Sequence, residues 1–211
     1  VYKRQGTQTW HVRTLTEHER KDQGHGATLL VKLGLSSSGV RPSRRAVDKV
    51  HAYMRARGIR DASRLVETMA IAIDDGGEVI GAAKFFPHVG DIDSLLNHEH
   101  REVAQHMVYR PVLSQMGVLP EYRRQGIGAA LVEEVIADSR KKGCEMVWGF
   151  AEGANGTSLE DLVAFYRGCG FNVADHEGLP VPEEIYGPAA SFIVKAGPKQ
   201  RVGRYFWMDL A

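Results

Sequence analysis

Cysteine is scarce here: Cys144 and Cys169 are the only two among 211 residues. Neither stands in a CxxC pair or at zinc-ligand spacing, so a disulfide framework and a zinc module are excluded as organising principles. The two suit a reducing cytosol, with one disulfide left open. Each follows a glycine at the end of a helical pattern and reads as a buried structural thiol. An excess of charge of either sign is also missing, with 27 basic against 26 acidic residues. Overall electrostatics therefore point neither to nucleic acid nor to a membrane surface. No apolar run approaches the ~18 residues of a membrane helix, and repeats and low-complexity tracts are absent. The start, "VYKRQGTQTW", has neither an initiator Met nor an apolar signal core, so residues 1–8 are left out of the fold argument as a disordered or added end.

What remains is an ordinary globular composition, 43% hydrophobic and 25% charged. At this length one buried core is the default, which makes 9–211 a single domain. The stretch 9–15 alternates and reads as a strand. Residues 17–34 follow as a loose helix, with Leu29, Leu30 and Leu33 at helical spacing and Gly34 as a stop. After the loop "SSSGVRP", Ser43 is placed to cap a helix whose Val47, Val50 and Met54 share a face and which Gly58 ends. "TMAIAIDDGGEVIGAAKFF" predicts a hairpin around a DDGG turn. The excursion 87–110 is less regular and is read as holding a short helix; such excursions often carry function. Residues 110–120 read as a buried strand stopped by Pro120.

The most informative stretch comes next, "PEYRRQGIGAALVEEVI" at 120–136. Ile127, Leu131, Val132, Val135 and Ile136 form the apolar face of a helix closed by Lys141, Lys142 and Gly143. Residues 144–153 are a further buried strand. "SLEDLVAFYRGCGF" is a helix with a Ser158…Asp161 capping pattern that ends near Gly168 or Gly170. Strands around 171–174, 191–196 and 203–210 finish the chain, with a Pro-rich loop at 177–188. The strand–helix–strand unit at 112–150 should be parallel and right-handed. The class is α/β or α+β around a mixed sheet.

A helix start carries unpaired N–H groups and the positive end of the helix dipole, which makes it a seat for an anion. Gly126 and Gly128 lack a Cβ and let a phosphate approach the main chain, and Arg123 and Arg124 add charge. The run is not a P-loop, since GxxxxGK[ST] is absent. It is not the dinucleotide fingerprint either, because Leu131 stands where the third glycine would be. By spacing alone a phosphate seat and a plain turn before a helix are equally good readings.

The order strand, "RRQGIGA", helix, strand, "AFYRGCGF" resembles the GNAT superfamily of acetyl-CoA-dependent N-acetyltransferases. Arg123–Gly128 satisfies the Q/R-x-x-G-x-G/A pyrophosphate signature. Phe165, Tyr166, Gly170 and Phe171 stand as that family's second landmark, about forty residues on. The likeness is clear over roughly 68–175. It implies a single GNAT-like domain with a mostly antiparallel mixed sheet and a parallel, splayed central strand pair. It also implies that main-chain N–H groups across Arg123, Arg124, Gln125, Gly126, Ile127, Gly128 and Ala129 grip the pyrophosphate of acetyl-CoA, the co-substrate. The strand edge at Met116 and Val118 would pair with the pantetheine arm, and the N–H near Met116 would polarise the thioester carbonyl. Tyr166 would protonate the leaving thiolate, as a phenol of pKa near ~10 can. For the proton of the attacking amine the candidates are Glu152, His106, or no dedicated base. One departure stands out: many relatives carry an Asn seven residues before the tyrosine, where this chain has Leu159, with Asn155 displaced to an earlier loop.

Blander readings stand beside these. Tyr166 is on an apolar helix face and could simply pack. His98, His100 and His106 with Glu102 suggest a metal site, but no second half of a ligand set is evident, so none is assigned; lining an acceptor pocket is the other role open to them. The basic run 43–60 reads as a solvated helix face. The leading expectation is acetyl transfer to a small-molecule amine, of the antibiotic, polyamine or amino-acid type, by a cytoplasmic enzyme. A homodimer is compatible with it. The alternatives are acylation of a protein amine or an aminoacyl-tRNA, for which Arg41, Arg44, Arg45, Arg55 and Arg57 could form a basic rim, and a non-catalytic acetyl-CoA-binding module.

Overall fold

Leucine, valine and alanine at helical and alternating spacings translate into regular elements along most of the chain. The computed structural model describes residues 2–5, 8–16, 19, 33, 43–59, 67–98, 100–153, 156–178, 180–190 and 202–210. The fold is of the expected mixed α/β class. By compactness the chain divides into two units that alternate along the sequence. One comprises Val1–Val40, Glu67–Phe85 and Leu113–Lys141, the other Arg41–Val66, Phe86–Val112 and Lys142–Ala211.

The first unit is an ordered run of neighbouring strands: β1 (Tyr2–Gln5), β2 (Gln8–Thr14), β3 (Thr68–Asp74), β4 (Val79–Phe86) and β5 (Val112–Val118). β1 pairs antiparallel with β2, so Tyr2–Gln5 belongs to the sheet. A short polar strand carries no hydrophobic signal in the sequence, and here the neighbouring strand satisfies its backbone. β2 and β3 are antiparallel, Trp10 opposite Asp74 and Thr14 opposite Ala70. β3 and β4 form the expected hairpin, with a register shift between Ala72 and Ile73. Its turn closes through Gly77 N–H to the Asp74 carbonyl at 3.0 Å, and Gly77 has φ +81°, a value that favours glycine.

The helix of this unit, α4 in chain order (Ile127–Lys141), buries Ile127, Leu131, Val132, Val135 and Ile136, the face read from the sequence. Glu134 Oε1 fastens it to β2 by accepting from the Thr14 N–H at 2.9 Å and the Thr14 hydroxyl at 2.7 Å. The helix lies close on the sheet at Gly81. A Cβ there would come within 3.2 Å of Leu131 Cδ1 and 3.3 Å of both the Gly117 carbonyl oxygen and Ile127 Cγ2. Any larger residue would push the helix start outward.

The second unit holds α1 (Arg44–Ala56), α2 (Val89–Leu96), α3 (Arg101–Met107), β6 (Met146–Ala151), α5 (Leu159–Gly168), β7 (Asn172–Val173), α6 (Glu183–Tyr186) and β8 (Arg204–Asp209). Ser43 caps α1 and Ser158 caps α5, accepting from Ala46 N–H at 3.2 Å and Asp161 N–H at 3.1 Å. Both agree with the sequence reading. The 87–110 excursion contains two helices rather than one. Their Ile92, Leu95, Ala104 and Met107 share a buried cluster with Val50 and Met54 of α1, Trp148 of β6, and Ile185 and Tyr186 of α6. The Pro-rich loop likewise contains the short helix α6, whose apolar pair gave too brief a pattern to read.

β8 lies between β6 and β7 and is antiparallel to both. The segment entering β5 runs alongside the segment entering β6 in the same direction: Glu145 N–H donates to the Tyr109 carbonyl at 2.8 Å and Trp148 N–H to that of Pro111 at 3.2 Å. This is the parallel approach the strand–helix–strand unit predicts. Cys144 and Cys169 form no disulfide and are half-buried, not the fully buried thiols expected. No helix among the described residues is long and apolar enough to cross a membrane. The predicted strand at 191–196, most of the 17–34 helix, Arg41 and Asn155 lie outside the described residues.

Candidate functional site

The loop between β5 and α4 is built by short-range bonds. Residues Pro120–Tyr122 form a 3-10 turn, with Tyr122 N–H on the Leu119 carbonyl at 2.9 Å and Arg123 N–H on that of Pro120 at 3.2 Å. Arg123 Nε turns back to the Val118 carbonyl at 3.1 Å, and Gln125 Nε2 donates to the Glu121 carbonyl at 3.2 Å. Arg124 has φ +59°, alone among the described non-glycine residues in being positive, and Gly126 follows at +80°. Two left-handed residues flanking Gln125 curl the chain, and such alternations make concavities that bind anions.

The concavity opens into the start of α4. The first turn of that helix carries no acidic side chain, so no carboxylate of that turn competes for its unpaired N–H groups. A Cβ added at Gly126 would meet nothing within 4 Å. Glycine is required there by φ, and the space a side chain would fill is open to a ligand. Arg123 and Arg124 are exposed, Gly126 too, while Gln125, Gly128 and Ala129 are half-buried and Ile127 is buried. Arg123–Ala129 thus form one continuous loop and helix start within the first unit. Met116 and Val118 are half-buried on the strand leading into it. The Val118 carbonyl accepts from Arg123.

In the second unit Tyr166 is 7% exposed. Its ring stacks on Phe206 at 3.7 Å between centroids and 13° between planes, with Phe165 and Phe171 edge-on at 5.1 and 5.8 Å. Burial pushes its phenol well above the ordinary value of 10, with Cys169 a smaller contribution. The group therefore holds its proton at any neutral pH and is chemically a donor. Phe206 pairs with Gly149, near the middle of β6.

The two candidate bases are not brought together. Glu152 is exposed and stands one residue past the end of β6. His106 is on α3, its Nδ1 3.1 Å from Glu145 Oε2, just ahead of the first residue of β6. A six-residue strand separates them, roughly 20 Å at ~3.3 Å per residue. His106 and Glu152 therefore cannot serve one reacting atom. His106 is hydrogen-bonded to Glu145 at the entrance of the strand, and Arg110 Nε also reaches the same Glu145 oxygen at 3.4 Å. Among the described residues no group of three His, Cys, Asp or Glu could hold a metal ion.

Sequence reasoning missed a pair that holds the seat from behind. The Tyr122 hydroxyl donates to Asp74 Oδ2 at 3.1 Å, tying the loop to the hairpin turn. This bond raises the phenol pKa, mainly because the neutral form donates to a carboxylate. Both residues lay inside motifs that had been noticed, but 48 positions apart, and nothing in a single sequence couples them.

The profile of the acetyltransferase (GNAT) family matches residues 44–171. The chain is similar to [ribosomal protein bS18]-alanine N-acetyltransferase of Escherichia coli (strain K12), 32% identical over 72 residues. That stretch is 34% of this chain and 46% of the relative, so the match spans under half the relative's length. Among solved structures, one from Desulfovibrio desulfuricans assigned to the GNAT family superposes with a TM-score of 0.53 at 15% identity, covering 96% of this chain and 99% of the other. The ribosomal-protein-S18-alanine N-acetyltransferase from Escherichia coli gives 0.47 at 15% identity over 96% and 94%. The structural likeness bears on the fold; the profile, which spans more than half of the chain, settles the family. With the arginine–glycine seat and the aromatic helix end both inside the matched segment, the chain belongs to the acetyltransferase (GNAT) family.

Proposed function

We propose that the chain moves the acetyl group of acetyl-CoA directly onto a primary amine of a small molecule. The observation that carries this reading is the seat at Arg123–Ala129: two left-handed residues, an open Cβ position at Gly126 and a helix start without carboxylates. These features fit a pyrophosphate, which wants several convergent N–H donors and no competing anion. Acetyl-CoA supplies an activated acyl carbon, so the amine nitrogen forms a C–N bond as the C–S bond breaks.

The chain's own groups have the remaining tasks. Main-chain N–H groups of Arg124–Ala129 hold the pyrophosphate, and Arg123 and Arg124 steer it in. The edge of β5 at Met116 and Val118 aligns the pantetheine arm, and the N–H near Met116 stabilises charge on the thioester oxygen. Tyr166 delivers its proton to the departing thiolate. Glu152 takes the proton the amine loses; His106, tied to Glu145 at the other end of β6, has no part in this.

A compact acceptor is favoured because helices α1, α2, α3 and α6 share one buried cluster. Segments of that kind are fixed walls, suited to a ligand of defined shape. The second reading is the N-terminal amine of a protein, favoured by the 72-residue likeness to the bS18-alanine enzyme. The test is thiol release from acetyl-CoA with purified protein and a panel of polyamines, aminoglycosides, amino-acid derivatives and alanine-initiated peptides. Release with a small amine supports the first reading; release with the peptides alone transfers it to the second. If acetyl-CoA fails to bind, the reading falls.

A further inference from the structure

We propose that Tyr122 and Asp74 form a strut that pre-sets the 123–128 loop for the coenzyme's pyrophosphate, making Tyr122 a positioning residue for cofactor affinity. The proposal rests on the acetyl-CoA reading above and adds residues outside the signature to it.

The argument starts at the hairpin turn. Asp74 Oδ1 accepts from the N–H groups of Gly76 and Glu78, both at 2.9 Å. The Asp74 N–H in turn donates to the Glu78 carbonyl at 3.0 Å, and its carbonyl accepts from Gly77 N–H. One carboxylate thus fixes the turn with one oxygen and reaches the Tyr122 hydroxyl with the other. The turn is local, closed on itself and joined to two paired strands, so it is a firm abutment.

The loop it meets needs one. Arg124 is a non-glycine residue in the left-handed region, a conformation that persists only where surrounding contacts determine it. On its far side α4 is wedged against the sheet at Gly81. On its near side the anchors are the 3-10 turn, the Arg123 Nε bond to Val118 and the Tyr122–Asp74 bond. Leu119 N–H, just ahead of the turn, also reaches the Ile80 carbonyl at 2.9 Å; beyond Leu119, the Tyr122–Asp74 bond is the one of these that ties the loop to a different part of the chain. It sits two residues before Arg124, where a pivot of the 3-10 turn would swing the N–H groups off their common centre. Holding those groups in place beforehand removes an ordering cost from binding. Tyr122 makes no contact with reacting atoms in this account, so its effect belongs to affinity and not to turnover.

The test uses the full chain. Tyr122→Phe removes one oxygen and leaves the ring. It is expected to raise the Kd of coenzyme A about three- to tenfold, the range for one hydrogen bond at a half-exposed site. KM for acetyl-CoA should rise in parallel, with kcat and the acceptor KM unchanged. S-acetylpantetheine, which lacks the pyrophosphate, should bind wild type and variant alike; a merely structural lesion would weaken both ligands. Asp74→Asn keeps a turn acceptor and provides the second variant: combined with Tyr122→Phe it should add less than its separate effect, as partners in one bond do. Unchanged coenzyme A affinity in Tyr122→Phe, or an equal loss for S-acetylpantetheine, overturns the strut. Failure of the wild type to bind coenzyme A is a different result, and removes the acetyl-CoA reading itself.

Discussion

Replacing Gly126 by alanine separates the cost of a backbone conformation from the loss of a ligand seat. At φ +80° an L-residue is strained by about 1–2 kcal/mol. The added methyl meets no atom within 4 Å, so no steric penalty is added to that strain. For a chain of this size, 1 kcal/mol lowers Tm by roughly 2–4 °C, so Gly126→Ala should melt about 2–8 °C early. Gly58 supplies a matched control: it closes α1 at φ +76°, and a Cβ there also meets nothing. Gly58→Ala should therefore lose about the same stability. The two part company on ligand. In Gly126→Ala the methyl occupies the concavity and displaces charge-assisted N–H contacts worth about 1.5–3 kcal/mol each, so the Kd of coenzyme A should rise at least about tenfold. In Gly58→Ala it should stay put. Calorimetric melts with and without coenzyme A, together with isothermal titration, read both quantities. Equal loss of affinity in the two variants, or none in Gly126→Ala, would refute the placing of the pyrophosphate at this loop.

Three further outcomes are expected. Tyr166→Phe keeps the stack on Phe206 and should leave Tm nearly unchanged while lowering kcat about 10²-fold; because burial raises the phenol pKa, the wild-type pH–rate profile should show no alkaline limb below pH 10 that this variant removes. Glu152→Gln should lower kcat with cofactor affinity intact, and an unchanged kcat removes Glu152 as the base; His106→Ala, at the other end of β6, should leave kcat as it is. Glu19, bonded to Arg13 at 2.8 and 2.6 Å, has its carboxyl lowered from 4.5 to about 2, chiefly by that bond. A depressed carboxyl stabilises the fold above its unfolded pKa and loses that contribution as pH falls, so Tm should drop between about pH 5 and 2 by less in Glu19→Gln than in wild type.

What was legible in the sequence follows from how far apart the cooperating residues lie. The hairpin at 68–86, the capped helices at Ser43 and Ser158, and the apolar face of α4 were all readable because each is decided within one or two turns of chain. The turn ahead of α4 was readable for the same reason: its glycines, arginines and helix start are contiguous. Elements whose stability comes from elsewhere were not. β1 is polar and exists through its pairing with β2. Helices α2, α3 and α6 are short and owe their order to a shared cluster with α1 and β6, which no local period announces.

The same distinction separates a cofactor from an acceptor. A pyrophosphate is recognised by main-chain N–H groups, and a short run of residues with the right φ values suffices to present them. An acceptor is recognised by side chains, which a fold gathers from distant places, as the core of the second unit illustrates: Trp148 of β6 packs edge-on to Tyr186 at 5.4 Å, and Tyr186 in turn hydrogen-bonds Asp91, whose carboxylate is 3.0 Å from His88 Nδ1. Their spacing in the sequence is set by the lengths of intervening helices, not by chemistry, so no fixed pattern can encode the combination. A motif therefore identifies what the family shares, and acceptor choice has to be measured, one substitution and one amine at a time.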